Sequence, residues 1–566
     1  MSRLQLQPRL KSTATSNISS QSAFASKEPL PTPEAHIPRP NARLTSAEPT
    51  SERATLFLIR RTLCPPRGDK GRNTPAPIDE ILPPLTSSNE VDLELYAFIA
   101  IIIREFVQTW YTKITPDHKF VDEIVKIIAH CTRALEQRLR KVDLESLLFD
   151  ELPDLLEVHI KAYQAAHQSL HPPPFESHPR EIYHSLCPFP ALTPVPDDKN
   201  QDAIQQQMEN EAVYRELLVQ GVLAVLLPTE DLENASLTTL VGQIFSEMIL
   251  GNGIGGKASE PWLLWEGITK IAEVIQDKLS NKSKAQALDR SYSNSSEPVP
   301  LDITGRTTKS WNFGRSIQKA FWLVLQYVFL AVTAARFLIT SIATSSSLPS
   351  RIPPAMKITG SGTSQEDMGS RELKNPSIAP RGRPLSFKQP ILKMKVWSCA
   401  ASLLDLGVRM PWISATISIL QWGALMGPGE VGNTDGPIDK LLSHAIQTHV
   451  LDPALLPPLL RTARSALFPN NTLGPARPPP SASESLLIRQ RCAETLLSLV
   501  PLSVQEVYFG PGKERRVKEI EEMLDVFGDS YCNKHLLYGV VELLVVRLMP
   551  ELAEKGIEEL LAERLS

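Results

Sequence analysis

A 23-residue run, Phe321–Ala343 (FWLVLQYVFLAVTAARFLITSIA), limits what this chain can fold into more than any other feature. At about 1.5 Å per residue a helix of that length can cross a bilayer. Yet Gln326 and Arg336 sit inside it, and an arginine within a span costs roughly 2.5–3.5 kcal/mol on insertion scales. Lys319, Gln326, Thr333 and Thr340 recur every seven residues and draw a thin polar seam along one edge of the helix. A membrane span, a buried core helix and the wall of an apolar cavity all satisfy this pattern.

The remaining chain can bury a large core. Hydrophobic residues make up 42% and charged residues 22% of its 566 positions. The formal net charge of −4 supplies no basic field for nucleic acid. Proline is in excess at 48 residues, which requires long punctuated loops between elements. Six scattered cysteines include Cys131, Cys399 and Cys492 within apolar helical patterns, as expected of reduced, buried thiols in a cytosol-facing protein. The first 27 residues hold Arg3, Arg9, Lys11 and Lys27 with no acid. A mitochondrial presequence shares that composition, but Pro8 and the weak apolar face fit a solvated basic tail better.

Taken in order, residues 1–88 are Ser/Thr/Pro-rich and are expected to be a disordered arm. Residues 89–280 read as one helical domain. It opens on the nearly all-apolar Leu93–Trp110, and Val121, Ile124, Val125, Ile128, Cys131 and Leu135 keep helical spacing in the next helix. A linker (281–310), the long apolar helix (311–344) and a second linker (345–388) follow. Residues 389–566 return to helix, with a bend expected at Met410–Trp412 and a second apolar helix over Lys534–Met549. No strand alternation of useful length occurs, so the expected fold class is all-α.

The candidate chemistry is sparse. Gly251, Gly253 and Gly256 satisfy a dinucleotide-type glycine spacing. A helix precedes them where that site needs a strand, so a helix end and loop explain them better. Cys532 and His535 have metal-like spacing without a second pair, and His159, His167, His171, His178 and His184 with Cys187 are irregularly spaced. No catalytic constellation, metal site or cofactor motif is found, and a non-enzymatic protein is expected.

Two stretches resemble a known family. The apolar opening helix, the Phe149-Asp150-Glu151-Leu152-Pro153 turn, Tyr214-Arg215-Glu216-Leu217-Leu218 through Leu226-Leu227-Pro228, and Pro261-Trp262 occur in the order seen in the PX-associated (PXA) domain of the larger sorting nexins and their fungal relatives. Asn533-Lys534-His535-Leu536-Leu537-Tyr538 and Leu548-Met549-Pro550-Glu551-Leu552 resemble the sorting-nexin C-terminal domain. The intervening chain has neither the length nor the strands for the regulator-of-G-protein-signalling and phosphoinositide-binding PX domains that relatives carry there. The hydrophobic hairpin ahead of the PXA domain is also missing.

The resemblance implies two helical lobes that pack together around an apolar cavity suited to acyl chains. It also implies action at endoplasmic reticulum or nuclear-envelope membranes or organelle contact sites. The expected partners are phospholipid or fatty acyl chains and a membrane surface, with SH3-like proteins for the proline-rich segments. Phe98, Ile102, Phe106, Leu218, Val222, Leu325, Phe329, Val332, Leu537, Val541 and Leu544 are the residues expected to face lipid. The 321–343 helix is expected to pack along both lobes; the alternatives are a membrane-anchored tether or scaffold that this helix carries across the bilayer, and a regulatory interaction protein with a conventional core and proline-rich partner motifs.

Overall fold

The computed structural model describes residues 51–64, 77–115, 119–168, 178–195, 200–293, parts of 325–345, 347–351, 388–427, 429–472 and 478–565. Every regular element among them is helical, and no strand is present among the described residues, as the all-α expectation requires.

Order begins earlier than the composition suggests. Helix α1, Glu52–Leu63, is capped by Ser51, whose side chain accepts from Ala54 N, and has Glu52 at its start and Arg60 and Arg61 at its end, the polarity that the macrodipole favours. Ile59 and Leu63 are fully buried against Ala97, Ala100 and Ile101 of α2, Asn89–Ile102. The disordered arm expected over 1–88 therefore gives way to structure at 52–63. The stretch TLFLI is short, but it lies against a helix apolar enough to bury it.

From α2 the chain passes through a π-helical segment, Ile103–Gln108, into α3, Lys119–Leu139. Pro153 sits in the first turn of α4, Leu152–His167, directly after a π-helical turn, Leu147–Glu151. Helices α5 (Pro179–Leu186) and α6 (Gln201–Leu226) follow, then α7 (Ala235–Gln243) and α8 (Pro261–Ser293). Helix α8 runs through the first part of the expected 281–310 linker; the remainder of that linker lies outside the described residues, as does most of 345–388.

In the C-terminal half α9 is Val396–Leu403, and α10, Pro411–Met426, starts after the expected bend with Pro411 at its first position. The rest are α11 (Pro437–His449), α12 (Leu456–Leu467), α13 (Ala482–Leu499), α14 (Leu502–Phe509), α15 (Lys513–Leu524), α16 (Ser530–Leu548) and α17 (Ile557–Leu565). These helices do not form a separate layer. Five of them pair with N-terminal ones: α12 on α2, α9 and α16 on α4, α17 on α6, and α13 on α8. Trp265 of α8 shows the consequence. It is buried among Cys492, Leu497 and Ile520, and its indole N–H donates to Leu524 O at 3.2 Å.

Candidate functional site

The junction between the two halves is filled by α16, which turns polar side chains inward. Asp529 caps its start by accepting from Tyr531 N (2.8 Å) and pairs with Arg180 (3.0 Å). The Tyr531 hydroxyl donates to Leu192 O (2.8 Å), and the Asn533 amide donates to Ser259 O and Phe527 O (2.9 Å each). Farther along, the Tyr538 hydroxyl donates to Glu211 Oε1 (2.6 Å), and the same carboxylate pairs with Arg215 (3.0 Å) and Lys534 (3.1 Å). Burial first, then the hydrogen bond to Glu211 and its charge, push the Tyr538 ionisation up, so it remains a donor.

The glycines belong to this junction. Gly251–Gly256 lie in a π-helical segment, Ile244–Ala258, rather than in the expected loop. A Cβ at Gly255 would collide with the Tyr538 hydroxyl and lie 2.8 Å from Glu211 Oε1. Close approach of backbone to a buried polar network is what this position requires.

Histidines of the irregular cluster also find structural duties. His159 Nε2 lies 3.2 Å from Val526 O, which can only accept, so Nδ1 accepts from the Tyr183 hydroxyl at 2.8 Å. Burial lowers its pKa to about 4. Burial, reinforced by His184 and His159, lowers His535 to about 3. No group of His, Cys, Asp and Glu among the described residues is arranged to hold a metal ion.

The residues expected to face lipid do not surround one space. Phe98 packs edge-to-face on Phe468 with ring centroids 5.9 Å apart, while Ile102 and Phe106 are exposed. Leu218 and Val541 each pack against the cluster of Val219, Leu223 and Leu250. Val222 and Leu537 are half-buried, and Leu544, Leu325, Phe329 and Val332 are exposed. The larger described cavity, about 730 Å³, is lined by ion pairs: Arg138–Glu551 (2.9 Å), Lys388–Asp143 (3.3 Å) and Arg547–Glu151 (2.6 Å). Among the described residues this cavity is polar, and the expected acyl-chain cavity between the halves is not seen there. The α16 side chains that meet the N-terminal helices are large and hydrogen-bonding, so they close the space and make it polar.

Apolar surface lies outside instead. Across the opening run, helical backbone is described at Leu325, Val328–Phe329, Val332–Thr333, Arg336, Ile339–Thr340 and Ala343–Ser345. Of these residues only Ser345, at the end, is buried, and Phe329 is 71% exposed. The expected packing along both lobes is therefore absent for the described side chains, since the helices of the two halves already occupy one another's faces.

Helix α10 behaves in the same way. None of its residues is buried, and Trp412, Ile419, Leu420, Trp422 and Met426 are all at least 67% exposed. At about 100° per residue Trp412, Ile419, Trp422 and Met426 share one stripe, and the half-buried Ile413, Gln421, Ala424 and Leu425 face the other way. An ordinary surface helix is polar outward, so this one is inverted. These residues were not among the sequence candidates, although one signal was available: no charged residue occurs from Met410 to Gly429.

The hydroxyls on both exposed helices fold back on their own backbones. Thr416 Oγ1 donates to Trp412 O (2.7 Å) and Ser418 Oγ to Ser414 O (2.9 Å). Thr333 and Thr340 donate to Phe329 O and Arg336 O (2.9 Å each). Among the described residues no helix is long and apolar enough to cross a membrane.

Comparison with known proteins agrees with the N-terminal resemblance. Residues 88–271 match the PXA domain. An uncharacterized protein of Saccharomyces cerevisiae is 21% identical over 81% of this chain and 79% of its own length. PXA domain protein 1 of Schizosaccharomyces pombe is 33% identical over 24% of this chain and 25% of its own, and human sorting nexin-25 is 33% identical over 16% and 10% respectively. The C-terminal resemblance lies outside the PXA match, and no solved structure matches the chain at a significant level.

Proposed function

We propose that this PXA-domain protein, with relatives among the sorting nexins, is a non-enzymatic membrane-trafficking protein that binds lipid through its exposed apolar helices. The observation that carries the reading is the inverted stripe of α10. Apolar surface left in water is unfavourable by about 25 cal/mol per Å², and a contiguous patch marks a contact with protein or membrane. The back-bonded hydroxyls, a pattern shared with other helices such as at Thr132 and Thr495, are compatible with a membrane contact. A helix entering lipid must satisfy its polar groups internally, and Thr333, Thr340, Thr416 and Ser418 do so.

The lipid is phospholipid, and the contact lies at the cytosolic face of endoplasmic reticulum or nuclear-envelope membranes or at organelle contacts, as the family resemblance implied. Flotation of the full chain with phospholipid vesicles tests this. The protein is expected to rise with the vesicles, and a Trp412→Ser/Ile419→Ser/Trp422→Ser variant is expected to stay behind with an unchanged unfolding midpoint. A full chain that floats with no vesicle composition ends the reading.

A further inference from the structure

We infer that α10 lies flat in a single leaflet, beside the 325–345 segment, and that the leaflet is anionic. This rests on the lipid-binding reading above and specifies its geometry and its lipid.

Length argues against a span. The 16 residues of α10 cover about 24 Å, short of the roughly 30 Å hydrocarbon layer. Trp412 and Trp422 are separated by about 15 Å along the axis. They cannot both reach interfaces if these are opposite, but they sit at the same depth if the helix lies in the plane, where indoles prefer to be.

Tethering points the same way. At its C-terminal end α10 is tied to the fold by the Gln421 amide, which donates to Leu392 O, and by Gly432 N, which donates to Ala424 O at 2.8 Å. Just before its start, Arg409 pairs with Glu519 at 2.6 Å. With both ends held to the folded body, the helix can present its outward stripe to a surface but cannot thread through one.

The second exposed helix is moored at the same turn. Ser350 Oγ donates to Asp435 Oδ2 (2.9 Å) and Arg351 N donates to Asp435 Oδ1 (3.1 Å). The Arg351 guanidinium is clamped between Asp439 (2.7 Å) and Glu145 (2.7 Å), all three nearly sealed from solvent. The chain leaving the second exposed helix is thus held at Asp435, nine residues beyond the end of α10, and we place both helices in one leaflet.

Charge selects the lipid. Residues 303–365 contain seven Lys/Arg and no Asp/Glu in a chain whose net charge is −4; of the two that are described, Arg351 is held in the clamp and Arg336 is on the exposed helix. Cations flanking an apolar insertion are each worth about 1 kcal/mol at an anionic surface, and salt screens them.

The test uses the full chain on vesicles of phosphatidylcholine alone and with phosphatidylserine. Fluorescence is compared between the parent and Trp412→Phe and Trp422→Phe variants, with quenchers attached to the acyl chains either near the headgroup or near the bilayer centre. The expected result is binding at least about tenfold stronger to the anionic vesicles and weakened by salt, with the signals of both tryptophans lost chiefly to the shallow quencher. Flotation with either tryptophan quenched mainly from the bilayer centre overturns the flat placement while leaving lipid binding intact. Flotation with neither tryptophan quenched overturns the role of α10 alone. Equal binding to both vesicle types overturns the anionic preference. Self-association through α10 without flotation removes this inference and the lipid-binding reading together.

Discussion

Gly255 and Tyr538 show how tightly the junction constrains single residues. Gly255→Ala is expected to cost about 1–3 kcal/mol in urea unfolding, because the new methyl meets a buried hydroxyl. Removing that hydroxyl in Gly255→Ala/Tyr538→Phe should recover part of the loss, and a double mutant no better than the sum of the singles would disprove the contact. Arg351→Met leaves Glu145 and Asp439 buried without their cation. A loss of about 3–5 kcal/mol is expected, partly restored by adding Asp439→Asn. The buried histidines set a pH dependence. Their folded pKa values, about 4 for His159 and about 3 for His535, lie below the ordinary 6.5. Between these values the unfolded chain binds more protons, so stability is full above pH ~6.5 and falls as the pH drops towards 4 and then 3. A thermal midpoint that stays level across that window would show that neither ring is buried neutral.

At the scale of elements, α10 and α16 are both strongly apolar by composition yet have opposite fates. Helix α16 buries Tyr531, Asn533, His535 and Tyr538 at the junction, whereas α10 buries nothing. Replacing Trp412, Leu420 and Trp422 with Gln should therefore change the unfolding free energy by no more than about 0.5 kcal/mol, as for surface sites. The same changes in a core helix would cost several times that. A large fall in stability would mean that α10 is packed in solution.

For the whole molecule, pairwise interlocking of the halves predicts that the PXA stretch is not an independent unit. A fragment ending at residue 271 strips Trp265 of Cys492, Leu497 and Ile520, and His159 of Val526. It should lack a cooperative thermal transition, and coexpression with residues 388–566 should restore one. A well-folded isolated fragment would show that the C-terminal helices are a covering rather than part of the core.

Much of this architecture could be read without coordinates. Helical periodicity and proline placement, as at Pro411, are local properties, and they determined the all-α class, most helix positions and the PXA resemblance, although the helix expected over Lys534–Met549 begins earlier, at Ser530 with Asp529 as its cap. The extra helix α1 was missed because its five apolar residues are too few to signal burial until α2 is beside them. The outward stripe of α10 was missed for a related reason. Apolar content says that a helix avoids water, but not whether protein or lipid replaces it. Only the tertiary structure told the two helices apart, by showing which faces of α16 were already matched with partners and which stripe of α10 was left exposed.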